Sequence, residues 1–251
     1  MADASDAGLI ARNPVARAKP PRPSKPHIKA WSRHELDRFL RFVENDPLYP
    51  LWHLMAMTGL RRGEALAIRM QDLDLASQRL VIRQNLVHVQ GGRLSFTTPK
   101  NHSARPIDLA PETVSILRSH RVAVSERRLS QGHEYQDQGL LFSRPDGSPL
   151  RPDSVTRAFS RLTESAVDAG VVTERLTPYG LRHSHGTIAI AGGVAVKVIT
   201  ERLGHSSPAF TMSVYQHVSP SMQTEAAAFI AELIRGGKER VKNDENASLG
   251  T

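Results

Sequence analysis

The chain has 251 residues, with 33 Lys plus Arg against 25 Asp plus Glu and a formal charge of +8; this length suits one large domain or two small ones. Cysteine is absent, which excludes disulfide staples, Cys-ligated zinc and thiol nucleophiles and fits a reducing, cytoplasmic compartment. No apolar run approaches the ~18–20 residues that span a bilayer, and no apolar stretch follows a basic cap at the N-terminus, so neither a membrane nor a secretory signal is expected.

Residues 1–30 read as a basic, Pro-rich linker or arm. Pro14, Pro20, Pro21, Pro23 and Pro26 interrupt regular structure, and Arg12, Arg17, Lys19, Arg22, Lys25 and Lys29 carry its charge. Ser32 and Glu35 then form a capping box ahead of a helix whose Leu36, Phe39, Leu40 and Val43 share a face. Leu51 to Met57 reads as a second helix, broken at Thr58-Gly59, and helical spacing resumes from Arg61 to Ile68. The period then changes to two. Leu80 to Val89, Leu94 to Thr98 and Arg105 to Leu109, separated by Gly91-Gly92 and Asn101-His102-Ser103, predict a three-stranded antiparallel meander.

The remainder reads as mostly helical. A helix opens at Pro111-Glu112 and runs to about Val124, and a turn-rich stretch over 129–150 holds the apolar Leu140-Leu141-Phe142. Asp153 is expected to cap a helix to Asp168, ended by Gly170. Further helices are expected over Leu181 to Ala191, Val194 to Leu203, Pro208 to Tyr215 and Met222 to Ile234, followed by a polar, disordered tail over 236–251. The elements sum to an α+β protein, mostly helical, with a small three-stranded antiparallel sheet.

The basic surplus points to an anionic partner such as nucleic acid. Aromatic residues are 5% of the chain, which disfavours stacking on single-stranded bases and favours a double-stranded backbone. Three segments carry chemistry. Thr58-Gly59-Leu60-Arg61-Arg62-Gly63-Glu64 places a glycine break before an arginine, whose planar donors match phosphate oxygens in pairs. Thr98-Pro99-Lys100-Asn101-His102-Ser103-Ala104-Arg105 puts Lys100 at a hairpin turn. The third runs from Thr177-Pro178-Tyr179-Gly180-Leu181-Arg182-His183 through Leu203-Gly204-His205-Ser206-Ser207 to Tyr215. Taken singly, each of these side chains reads as an ordinary surface, turn or core residue. His183 and His185, at i and i+2 on a helix, fall on different faces and make a poor metal pair.

The ordered set TGLRRGE, hairpin lysine, LRH, LGHSS and a tyrosine ten residues after the histidine resembles the phage-integrase type of tyrosine recombinase, over about residues 30–235. The resemblance implies a catalytic domain over 31–235. It makes Arg61 and Arg182 the two catalytic arginines, Lys100 the hairpin lysine, His205 the histidine of the LGH element and Tyr215 the nucleophile, with Glu64 supporting the site. One position departs: Tyr179 stands where the family usually has histidine, and a phenol with an ordinary pKa of ~10 is a poor base at neutral pH.

The activity so implied is site-specific DNA recombination or integration through a 3′-phosphotyrosine intermediate. No cofactor and no metal are implied, since the arginines supply the positive charge. The implied partners are double-stranded DNA, a homotetramer on two duplexes and an accessory DNA-bending protein. The apolar face of Met222 to Ile234 (Ala226, Phe229, Ile230, Leu233) is expected to pack either on a neighbouring subunit or on its own domain. Residues 1–30 are too short for the helical clamp domain usual in the family. Two other readings stay open: a non-catalytic DNA-binding remnant of the same fold, and a type IB topoisomerase-like relaxing enzyme.

Overall fold

A computed structural model describes residues 8–9, 29–89, 92–98, 104–205 and 207–215, with the backbone alone at 210 and 213–215. Ser32 caps the first helix, α1 (Arg33–Phe42): its Oγ accepts from the Glu35 amide at 3.3 Å, and Glu35 Oε2 accepts from the Ser32 amide at 3.0 Å. Glu35 also accepts from the amide and hydroxyl of Thr173, tying the start of α1 to a segment 138 residues away. Burial pushes the Glu35 carboxyl up, but the hydrogen bonds from Thr173 and Ser32 prevail and hold it at about 2.

The central helix is α2 (Tyr49–Thr58). It is apolar around most of its circumference, and Leu51, Trp52, His53, Leu54, Met55, Ala56 and Thr58 are all buried. A helix with no wet face belongs in the middle of a core, and the other elements pack around it. An aromatic cluster forms one wall. Phe159 lies 5.2 Å from Trp52, 5.6 Å from Phe39 and 6.5 Å from Trp31, centroid to centroid. Trp31 adds two bonds, from its amide to Ser184 Oγ and from its indole to the Glu174 carbonyl, both 2.9 Å.

After α2 the chain reverses at Gly59, enters the short α3 (Arg62–Leu66), and reaches the sheet region. A three-stranded antiparallel sheet is present, but its strands are not the expected meander. Its order is β1 (Leu73–Asp74), β2 (Arg79–Ile82), β5 (Arg105–Asp108), while β3 (Asn85–His88) and β4 (Leu94–Thr97) form a separate hairpin. The expected strand from Leu80 to Val89 is two strands. Its alternation of buried Leu80, Ile82 and Leu86 runs on without a phase break, so the pattern hides the break. Tertiary contacts supply it: Gln84 Nε2 donates to the Ala67 carbonyl at 2.6 Å, and Arg83 pairs with buried Asp72 at 3.2 Å. β5 then returns to β2, with Leu80 opposite Ile107, instead of pairing with β4.

The helix from Pro111 continues past the expected Val124, giving α4 (Pro111–Gln131). Leu140, Leu141 and Phe142 are buried and dock on the exit of α3, where the Leu141 amide donates to the Ile68 carbonyl at 2.8 Å. The next helix, α5 (Pro152–Asp168), is capped at Arg151, so Asp153 sits in its first turn and is not the cap. Then come α6 (Pro178–Ala191), α7 (Val196–Leu203) and α8 (Pro208–Tyr215). Helix α6 starts three residues earlier than expected because Pro178 takes its first position, where no amide is needed. The expected helix over Met222 to Ile234 and the tail over 236–251 lie outside the described residues, as does most of the 1–30 arm. Among the described residues no helix is long and apolar enough to cross a membrane.

Phe159 touches α1, α2 and the segment before α1 at once, so Phe159→Ala is expected to cost about 3–5 kcal/mol of stability. The two tryptophans are both buried, so the red shift of their fluorescence in a urea titration measures the loss. A midpoint equal to that of the parent would contradict this account of the core.

Candidate active site

The site is assembled around Glu64, whose side chain is 2% exposed. Its Oε1 accepts from Arg61 Nη1 at 2.9 Å and Arg105 Nη1 at 3.0 Å; its Oε2 accepts from the Arg61 amide at 2.9 Å and Arg105 Nη2 at 2.8 Å. Local sequence sets half of this. Arg61 is the N-cap residue of α3 and Glu64 its third residue, so the carboxylate reaches back to the cap amide. The fold sets the other half, since Arg105 arrives from β5 and binds in two-pronged geometry. Burial pushes the Glu64 carboxyl up; the hydrogen bonds and charge of Arg105, and then the amide and charge of Arg61, outweigh burial and hold it below the usual carboxylate range.

The two guanidinium groups also face the end of α7. Arg61 Nη2 donates to the Gly204 carbonyl and Arg105 Nε to the Arg202 carbonyl, each at 3.2 Å. These are the last carbonyls of a helix, where cations are favoured. Arg202 reaches across in return, donating to the Asp108 carbonyl at 3.1 Å and the Met57 carbonyl at 3.2 Å. Gly204 is required twice over. Its φ is +65°, and a Cβ there would lie 2.9 Å from the Arg105 guanidinium carbon.

Arg182, in the second turn of α6, is 1% exposed, and its Nη1 donates to the Gly59 carbonyl at 2.9 Å. Gly59 precedes Arg61 by two residues, so the two arginines are held on one short loop. Gly59 has φ +66°, and a Cβ there would collide with Leu203 and with the His185 ring. Arg61 is one-third exposed, so one arginine faces the surface while the other lies beneath.

His205 follows the Gly204 turn and is buried, with Nδ1 2.8 Å from Thr211 Oγ1. Burial, then the charges of Arg182 and Arg61, then His183 and Arg105, lower it to about 4. The bond from Arg61 to the carbonyl of the preceding Gly204 places His205 beside the guanidinium groups. His183 is lowered to about 4 by burial and Arg182, and its ring meets Tyr179 edge to face at 4.4 Å. His185 points elsewhere. Its Nδ1 donates to the Ala56 carbonyl at 3.0 Å, and burial with Arg202 lowers it to about 4. Tyr179 is 50% exposed. It lines, with Arg61, Arg62, Asn85, His88 and Thr177, a cleft of about 500 Å³.

Arg61, Arg182 and His205 therefore come together, with Tyr179 at the rim through His183. Tyr215 is the last residue of α8; only its backbone is described. Lys100 lies outside the described residues. Sequence reasoning gave no role to Arg105, which ends the hairpin-lysine segment, nor to Arg202, Thr200 and Thr211. Thr211 carried one usable signal: it stands four residues before Tyr215, on the same helical face. Nothing in the local pattern around Arg105 marks it as the partner of Glu64.

Residues 31–222 match the model of the phage integrase family. The chain belongs to this family. Among curated relatives, this integrase-family chain is 27% identical to the XerC-like tyrosine recombinase of Caldanaerobacter subterraneus subsp. tengcongensis, covering 92% of this chain and 62% of that protein. It is 28% identical to the ICEBs1 integrase of Bacillus subtilis, covering 90% of this chain and 60% of that one. The chain thus spans about three-fifths of the relatives it matches. The fold is shared with the Tn1549 transposon integrase solved with transposon right end DNA (TM-score 0.69, 20% identity, 84% of this chain and 68% of that one). It is shared also with the XerA recombinase (TM-score 0.62, 24% identity, 82% of this chain and 66% of that one).

The three histidines held at about 4 set a stability window. Above their ordinary value of 6.5 they are neutral in the folded and unfolded chain alike. As pH falls below that, the unfolded chain takes up protons that the folded one refuses until about 4, so stability drains away across this interval. Melting temperature at constant ionic strength is expected to fall steadily as the pH is lowered from about 7 to about 5, before the carboxylates titrate. A flat profile there would show that these rings are not held neutral.

Proposed function

We propose that this chain is the catalytic part of a site-specific DNA recombinase, which cleaves and rejoins double-stranded DNA through a 3′-phosphotyrosine link at Tyr215. The observation that carries the reading is the meeting of Arg61 and Arg182 on the Gly59–Arg61 loop beside His205. Two rigid cations next to one imidazole suit a phosphodiester whose negative charge grows in the transition state. Membership of the phage integrase family supports it, as do the recombinase and integrase names of the relatives. A structural neighbour solved on transposon DNA supports a DNA substrate.

In this reading the phenol oxygen of Tyr215 attacks the scissile phosphorus. A Tyr215 Oη–P bond forms and the P–O5′ bond breaks. Arg61 and Arg182 hold the non-bridging oxygens, His205 adds a hydrogen bond in the same site, and Lys100 gives a proton to the departing 5′-oxygen. The roles of Lys100 and Tyr215 rest on the resemblance of their segments. Tyr179, at the cleft rim, serves as a hydrogen-bonding group and not as the base. The covalent link retains the energy of the phosphodiester, so a 5′-hydroxyl from another duplex can reverse the attack and join new partners without ATP. Tetramer formation on two duplexes, with an accessory DNA-bending protein, belongs to the same proposal.

A nicked suicide substrate bearing the sequence repeats that flank the gene is expected to trap a protein–DNA adduct. Tyr215→Phe is expected to abolish that adduct while leaving binding intact, as read by denaturing gel and by mobility shift. Binding without any adduct would turn the reading toward a DNA-binding remnant; site-independent relaxation of supercoiled DNA would turn it toward a topoisomerase. Lys100→Ala is expected to slow cleavage by about 10²-fold or more on a normal 5′-oxygen. A 5′-bridging sulfur, which leaves without a proton, is expected to restore the rate. Equal losses on both substrates would remove Lys100 from the acid role.

A further inference from the structure

The cleft beside Arg61 holds a second arginine that the cleavage step does not use. Arg61 and Arg62 are consecutive and both line this cleft of about 500 Å³, yet their guanidinium groups part. Arg61 turns to Glu64 and to the Gly204 carbonyl. Arg62 turns instead to α5, where its Nη1 donates to Thr156 Oγ1. Thr156 gives its own proton to the Pro152 carbonyl at 3.1 Å, so its oxygen is left to accept from Arg62. The charges differ too. The Glu64 carboxylate meets the charge of Arg61, whereas Arg62 has no carboxylate partner and makes no other side-chain hydrogen bond among the described residues. No Asp or Glu is among the described residues that line the cleft. Asp153, in the first turn of α5, is turned to His88, whose Nδ1 lies 3.0 Å from its Oδ2. The cleft thus presents a braced positive charge with no acid to answer it. Its walls are close. A Cβ on Gly63 would lie 2.6 Å from the Leu86 carbonyl, so β3 rests against α3 only because that residue is glycine. Leu86, Pro152, Pro178 and the Tyr179 ring supply the apolar part of the lining.

We propose that this cleft is a second phosphate site, which seats a phosphodiester next to the scissile one on the same DNA strand, with Arg62, braced by Thr156, as its cation. The inference rests on the recombinase reading and extends it from one phosphate to two. Consecutive residues stand ~3.8 Å apart at Cα, and successive phosphates of one strand advance by ~3.4 Å along the duplex axis. Neighbouring arginines whose guanidinium groups diverge therefore suit neighbouring phosphates. The planar fork of Arg62 matches phosphate oxygens in pairs, and the apolar walls suit the deoxyribose that joins the two phosphates. A phosphate held beside the reacting one carries no sequence information, but it fixes the register of the strand. In that register the scissile phosphorus is held at Arg61 and Arg182.

The first arm of the test needs neither a target sequence nor cleavage. The affinity of the full chain for duplex DNA is measured across a range of salt concentrations. Arg62→Gln is expected to make the slope of log K against log salt shallower by about 0.9, the loss of one phosphate contact. Arg62→Lys, which keeps the charge, is expected to keep the parent slope. An Arg62→Gln slope equal to that of the parent would overturn the proposal. The second arm replaces the phosphodiesters of the cleaved strand of the suicide substrate, one at a time, by neutral methylphosphonates, with binding read by mobility shift. At one neighbour of the scissile linkage the replacement is expected to weaken parent binding about tenfold, and to leave Arg62→Gln binding unchanged. If no neighbour matters to the parent, or if the replacement weakens parent and variant equally, the second site is sunk. An adduct formed alongside such equal losses would leave the recombinase reading standing and remove this site alone. If the parent chain forms no adduct on any DNA, the recombinase reading fails, while the first arm still decides whether Arg62 meets a phosphate.

Discussion

One buried carboxylate organises this molecule's chemistry. Removing an ion from water costs several kcal/mol even after the protein relaxes, and Glu64 is buried with its charge. The cost is offset because both of its oxygens are fully engaged by Arg61 and Arg105. Those arginines come from the start of α3 and from β5, and each also donates to a carbonyl at the end of α7. A single acid group thus fixes three elements against each other. Arg61 is held in place before any ligand arrives, which is the property a charge-stabilising site requires.

Two glycines make that closeness geometrically allowed. Gly59 and Gly204 both turn through positive φ at the ends of helices, and both face groups that leave no room for a Cβ. The carbonyl of the first holds Arg182, and the carbonyl of the second holds Arg61. Backbone oxygens thus join the Glu64 carboxylate in holding the guanidinium groups of the site. The consequence for the neighbouring imidazoles is electrostatic. His183 and His205 are buried beside guanidinium charges, and burial together with those charges keeps them neutral.

The sheet region illustrates how a faithful local signal leads to the wrong pairing. Leu80, Ile82 and Leu86 keep strict alternation, yet the strand ends at Ile82 because Arg83 and Gln84 find partners in Asp72 and the Ala67 carbonyl. β5 consequently pairs with β2, and that pairing carries Arg105 to Glu64. Had β5 followed β4 in a simple meander, the second arm of the carboxylate fork would have had no route to the site.

Sequence by itself determined most helices among the described residues, the capping box at Ser32–Glu35 and the glycine break at Gly59, and it marked Arg61, Arg182 and His205 as candidate site residues. Each of these is written in a few consecutive residues, or in an ordered set of short motifs. Tertiary structure alone decided that Arg105 completes the Glu64 pair, that β2 and β3 separate, and that Thr200 and Thr211 orient His205. These depend on contacts between residues 41 positions apart in the first case and 11 between the two threonines. The physical reason is the same in all three. A buried polar group is satisfied by whichever donor or acceptor the packing of apolar faces brings to it, and no local pattern in the chain records which one that is.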